Sequence, residues 1–138
     1  MATFQKFNQF VEDLAKKVHN LSADQLVIAL TNIAPVAANS VLADLTEISY
    51  TNCSTRNVTT TSAEQTSGTL KLLLVDLTLT ASGGTVGAFR YVVIYNDTPT
   101  SPADPLVGFF DYGSSITLQA TETLLIDFDG TNGALTIA

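Results

Sequence analysis

The sequence predicts a mainly β protein: an antiparallel β-sandwich or small barrel with one amphipathic α-helix at its N-terminus. Three observations lead there. Nearly half of the 138 residues are hydrophobic and only 14% are charged. Thr and Ser make up more than a fifth of the chain and mostly alternate with Val, Leu and Ile, a texture that suits a pleated, half-buried surface. The apolar segments after the first twenty or so residues are short, and Gly, Asn, Asp or Pro separates them. A chain of this length forms one domain that buries roughly two thirds of the surface exposed when unfolded. Residues 1–21 are assigned to the helix and 22–138 to the β domain.

The helix comes first. Phe4, Phe7, Val11, Leu14, Val18 and Leu21 recur at three- and four-residue spacings, with Gln5, Lys6, Asn8, Glu12, Asp13, Lys16 and Lys17 opposite them. Thr3 is placed to cap its start. Glu12 with Lys16 and Asp13 with Lys17 are favourable i,i+4 pairs. Phe4, Phe7 and Phe10 together cover about half of the helix circumference, more than one packing seam demands, so this end is expected to touch another subunit.

Ser22 to Asp24 break the pattern, and LVIALTN from Leu26 reads as a short apolar strand. Pro35 and Asn39 mark an irregular connection, with one helical turn expected within Ala43 to Ile48. From Asn57 onwards the segments NVTTTSAE, TLKLLLVDLTLTAS, AFRYVVIYND, PLVGFFDYG, SITLQ, TLLIDFDG and ALTIA read as strands. Short connections predict that neighbours pair as hairpins, with turns at Ser82-Gly83-Gly84 and across Asp129-Gly130 and Asn132-Gly133. Leu72, Leu73 and Leu74 interrupt strict alternation, which means either a strand buried on both faces or a bulge.

The formal charge is -7, and no Lys or Arg follows Arg90, whereas Asp97, Asp104, Asp111, Glu122, Asp127 and Asp129 do. Such a body repels a nucleic-acid backbone and an anionic membrane surface, so neither is expected as a partner. Cys53 is alone and excludes an intramolecular disulfide. The opening segment lacks the apolar core of a secretion signal, and no run approaches the ~20 apolar residues that cross a bilayer, so assembly in a cytoplasm is expected.

Motifs for chemistry are weak. DFDGTNG, from Asp127 to Gly133, begins like a calcium loop but has Asn132 where Gly is required and Ala138 where a bidentate Glu is required, so a tight turn is expected and no metal. Asn-x-Ser/Thr triplets, as at Asn52, Asn57 and Asn96, are ordinary in a threonine-rich chain. His19, the one histidine, has no nucleophile fixed near it in sequence and is expected to be a partly buried helix residue. Neither a P-loop nor a GxGxxG is present, and no cofactor or enzymatic activity is expected.

The most distinctive stretch is RYVVIYNDTPTSPADPLVGFFDYGSS, Arg90 to Ser115. Pro99, Pro102 and Pro105 prevent regular pairing and favour a stiff, solvated loop at a hairpin crest, where Asp97 and Asp104 act as turn residues rather than as a catalytic pair. Phe89, Tyr91, Tyr95, Phe109 and Tyr112 divide between core and surface, with Tyr95 and Tyr112 expected to point outward beside the loop as interface anchors. The candidate protein-interface residues are therefore Phe4, Phe7, Phe10, Tyr95, Asp97, Pro99, Pro102, Asp104 and Tyr112.

LTASGGTVGAFRYVVIYNDT, DPLVGFFDYGSSITL and TLLIDFDGTNGALTIA, with FNQFVEDLAKKVHNL and VIALTNIAPV, resemble small virion structural proteins of tailed bacteriophages nearly end to end. The resemblance implies a capsid decoration (cement) protein that binds outside the head and stabilises it by bridging capsomers, with the major capsid protein or another virion protein as partner. It also implies a homo-oligomer, with a trimer expected, whose weak individual contacts gain avidity on a repeating lattice. A tail or neck component (tube, adaptor or fibre) and a host-receptor-binding module are the alternatives. The likeness lies in strand-and-turn phrases and transfers no functional residue.

Overall fold

The computed structural model describes residues 2–138, which form three antiparallel sheets and one short helix. The elements are β1 (Gln5–Lys6), α1 (Asn8–Ala15), β2 (Leu26–Thr31), a single 3₁₀ turn (Leu42–Asp44), β3 (Asn57–Val58), β4 (Thr60–Thr66), β5 (Thr69–Leu74), β6 (Leu77–Thr80), β7 (Val86–Asn96), β8 (Leu106–Leu118), β9 (Thr123–Ile126) and β10 (Leu135–Ile137). The largest sheet runs β1-β8-β7-β2-β3; a second runs β10-β5-β4; β6 and β9 form a third.

The apolar run at β2 is explained by its position. All six residues are buried, because β2 lies between β7 and β3 and both of its faces are covered. Leu26, Ile28 and Leu30 join the main core with Ile94, Val107, Leu72, Leu74, Leu79 and Leu135, which come from all three sheets. Val27 and Ala29 point the other way, into a second cluster with Phe7, Val93, Tyr95, Leu106 and Phe109. Leu42 and Leu45, from the irregular connection, pack over that second cluster.

The helix is shorter than its spacing predicts. Gln5 and Lys6 pair with Phe109 and Gly108 of β8, so the backbone is extended where the apolar period continues. Helix α1 starts only at Asn8, with extended Phe7 as its N-cap and no side-chain cap, so Thr3 caps nothing. The Asn8 N–H donates instead to the Ala37 carbonyl at 2.9 Å. Glu12 and Lys16 form the expected ion pair. Asp13 does not reach Lys17: it is buried and accepts from Gln9 Nε2 at 3.1 Å, while Lys17 has a left-handed φ of 66° that ends the helix.

The turns mark chain reversals correctly but not always the partners. Ser67 and Gly68 close the tight β4–β5 hairpin with φ of 52° and 85°, the two positive values that a type I′ turn requires. Residues 82–85 close no hairpin, since β6 pairs with β9 whereas β7 pairs with β2 and β8. The same holds for Asp129 to Gly133, which carries the chain from β9 to β10, whose partner is β5. Both turns move the chain between sheets.

Two irregularities govern which side chains face inward. In β5, Leu72 and Leu74 are buried and Leu73 is half-buried, so alternation survives; the extra residue lies in β4, between Thr60 and Ser62. In β8 the register shifts opposite Ile94 and Tyr95, which places Leu106 and Phe109 in the second cluster and Val107 in the first.

Candidate functional site

The structure separates the residues that the sequence groups as an interface. Phe7 and Phe10 are buried inside the chain, Phe7 against Phe109 with ring centroids 5.3 Å apart. Tyr95 is buried as well, since its partner across the strands is Leu106 and both face the second cluster. None of these three presents surface to another molecule, which corrects their assignment. Tyr112 is 57% exposed, but it does not flank the loop: it lies six residues along β8 from Leu106, roughly 20 Å away at 3.3 Å per residue.

The loop of residues 97–105 does crown the β7–β8 hairpin. Asp97 and Pro102 are exposed, Pro99 and Asp104 half-buried, and Pro105 buried. Its base is fastened on both sides. Asp97 N–H donates to the Gln25 carbonyl at 2.9 Å and Gln25 N–H donates to Thr98 Oγ1 at 2.9 Å. On the other side Leu42 N–H donates to the Asp104 carbonyl at 2.9 Å. Burial first, then the neighbouring Asp97 carboxylate, pushes the Asp104 carboxyl above its ordinary value. Asp111 belongs elsewhere: Arg90 Nε and Nη2 donate to its two oxygens at 2.7 and 3.0 Å, which holds its carboxyl below the usual range.

His19 lies beyond α1, buried against the Phe10 ring at 5.2 Å. The fully buried Asn96 donates from Nδ2 to His19 Nδ1 at 3.0 Å and to Asp24 Oδ2 at 2.7 Å, while its Oδ1 accepts from Thr98 N–H at 3.1 Å. Because Nδ1 accepts, the neutral ring carries its proton on Nε2, which has no partner among the described residues. Burial lowers the His19 pKa, and the Asp13 and Asp24 carboxylates offset part of that shift. The network ties the end of the helical segment to the base of the loop, and no hydroxyl or thiol hydrogen-bonds to His19 among the described residues. Burial raises the Cys53 thiol pKa, away from a reactive thiolate. No group of three or more His, Cys, Asp or Glu side chains among the described residues is placed to hold a metal ion.

A second, partly buried polar centre left no mark in the sequence. Tyr50 Oη accepts from Leu30 N–H at 2.8 Å and donates to Glu47 Oε1 at 2.7 Å. Arg56 lies over its ring at 3.6 Å and donates to the Ile28 carbonyl at 2.6 Å. These contacts bind the irregular segment before β3 to β2, a structural role.

One concavity on the surface is an apolar groove of about 320 Å³. Its floor is Val92, Phe128 and Ala134, all buried. Its walls are Phe4 and Ala2 on the N-terminal arm, Phe110 and Tyr112 on β8, and Leu124, Leu125 and Ile126 on β9. Leu125 is 55% exposed. The arm reaches this position because Gly108 leaves room for it: a Cβ there would run into the Phe4 ring and come within 2.8 Å of the Gln5 carbonyl.

At the groove's rim are two carboxylates of unequal availability. Asp129 is engaged by its own turn, accepting from Asn132 N–H and Nδ2 at 2.8 Å each and from Thr131 N–H at 2.9 Å, bonds that lower its pKa. Asp127 is exposed and has neither hydrogen bond nor ion pair among the described residues. Among the described residues no Lys or Arg lines the groove. Of the sequence-derived interface residues only Phe4 and Tyr112 belong to it, and comparisons of the chain with protein-family models, curated proteins and solved structures give no match.

Proposed function

We propose that this chain is a structural protein of a tailed-phage virion: a decoration protein, working as a homo-oligomer, that binds the outside of the head and bridges capsomers. One observation carries the structural role. A groove lined mostly by aliphatic and aromatic side chains opens on a strongly acidic β body, and a concave apolar surface with a few polar groups at its edge is suited to binding. The strand-and-turn phrases of the sequence support the virion setting. In this proposal the five-stranded sheet and the smaller sheets act as two layers of a sandwich, supported by the core cluster they share. The protein carries out no reaction.

The experiment has two parts. Gold-labelled antibody against the purified protein should decorate phage heads; label confined to tails would replace head decoration with a tail or neck role. Heads assembled without the protein should rupture at lower temperature or in low salt and regain resistance when it is added back. Unchanged rupture would reject the bridging role, and a virion free of label would reject the setting.

A further inference from the structure

We propose that the groove between β8, β9 and the N-terminal arm is the docking site for an extended segment of a partner protein, one that inserts large apolar side chains and sets a Lys or Arg beside Asp127. The groove's chemistry is independent of whether the partner is a capsid subunit.

Three features select this occupant. The volume of about 320 Å³ is at the lower end of ligand-sized pockets, enough for a few large side chains, and its lining is almost wholly aliphatic and aromatic. The strands on either side keep unpaired edges: β9 pairs only with β6, and the edge of β8 away from β7 pairs with β1 only at Gly108 and Phe109. Free strand edges beside an apolar trough are what an extended main chain requires, since they supply its hydrogen bonds while alternate side chains fill the trough. The third feature is charge. Among the described residues Asp127 is unpaired at the rim and no Lys or Arg lines the groove, and the chain beyond Arg90 contains only acidic side chains, so a basic residue flanking the apolar ones is the complement.

The test uses two fluorescently labelled peptides, each alternating leucine or phenylalanine with threonine, one ending in lysines and the other in glutamates. Fluorescence anisotropy with the full chain should show the lysine peptide binding about fivefold more tightly, a ratio of the size one exposed ion pair supplies. Leu125→Asp should weaken the lysine peptide by about tenfold. Tyr112→Ser, at a side chain exposed enough to leave folding intact, should weaken it as well. Asp127→Asn should reduce the preference for lysine, chiefly by weakening the lysine peptide, with Asp129 and the acidic body supplying what remains. Absence of binding at millimolar peptide, equal affinity for the two peptides, or indifference to both Leu125→Asp and Tyr112→Ser would overturn the proposal. Self-association in sedimentation velocity that disappears with Leu125→Asp would also overturn it, by giving the groove to a second copy of the chain.

Discussion

Replacing Gly108 with alanine tests how the N-terminal arm is held. The added Cβ would collide with the ring of Phe4 and lie 2.8 Å from the Gln5 carbonyl oxygen. The ring can rotate away, but the carbonyl belongs to β1 and moves only if the strand moves. Relief therefore costs the short β1–β8 pairing, with net backbone hydrogen bonds of about 1 kcal/mol each, and the edge-on contact of Phe4 with Phe110, whose centroids are 5.7 Å apart, at about 1 kcal/mol. The sum is about 2–3 kcal/mol, in the range of overpacking mutations. For a domain of this size that corresponds to a fall in Tm of roughly 6–9 °C by circular dichroism. Amide hydrogen exchange should accelerate at Gln5, Lys6 and Phe7, the last of which donates to the Val107 carbonyl at 3.3 Å. Gly68→Ala is the comparison: its Cβ would meet open space, and only the φ of +85° opposes it, so it should cost about 1 kcal/mol without changing exchange in the arm. If Gly108→Ala melts within a degree of the wild type and the arm stays protected, Gly108 is not what seats it.

Three other outcomes are expected. Phe7→Ala should destabilise the protein by about 3–5 kcal/mol in urea titrations, as for a fully buried aromatic side chain; a loss under 1 kcal/mol would return Phe7 to the surface. Tyr50→Phe should cost about 1–2 kcal/mol, because the N–H of the fully buried Leu30 loses its acceptor. His19 titrates in the folded state below its ordinary value near 6.5, so between those two pKa values the unfolded chain binds more protons than the folded one. Its contribution is whole above about pH 6.5 and is lost as pH falls toward the folded pKa; His19→Gln should flatten the stability profile across that interval, and a parallel profile for the two proteins would contradict this reading.

How far the sequence was legible depends on the range of the interaction that decided each feature. The strand texture and the existence of an N-terminal helix are local properties and were readable from alternation and period. Where the helix begins was not, because Gly108, far along the chain, allows Gln5 and Lys6 to pair with β8 and withdraws them from α1. Tyr95 was expected to point outward, but β7 is covered on both faces here: Tyr95 shares the Val93 face, which Phe7, Leu106 and Phe109 cover, and their arrival from distant segments has no local signal. The turns at Gly83-Gly84 and Gly130 announced reversals, but a turn residue does not specify which sheet receives the next strand. The groove was the least legible feature of all: its walls come from the arm, β8, β9 and the following turn, and Leu125 and Phe128 are ordinary strand hydrophobics until the sheets meet.

The strand order also governs how the chain acquires its shape. Leu26 pairs with Asn96 and Gln5 with Phe109, so the central sheet joins segments widely separated along the polypeptide. Pairings this remote fold slowly, because long loops must close before any contact rewards them. While the polypeptide emerges from a ribosome, the run LVIALT has neither β7 nor β8 to shelter it and stays adhesive on both sides. Fragments that stop short of β7 will therefore clump rather than fold, and anyone dissecting this protein by truncation must keep β2, β7 and β8 on one molecule.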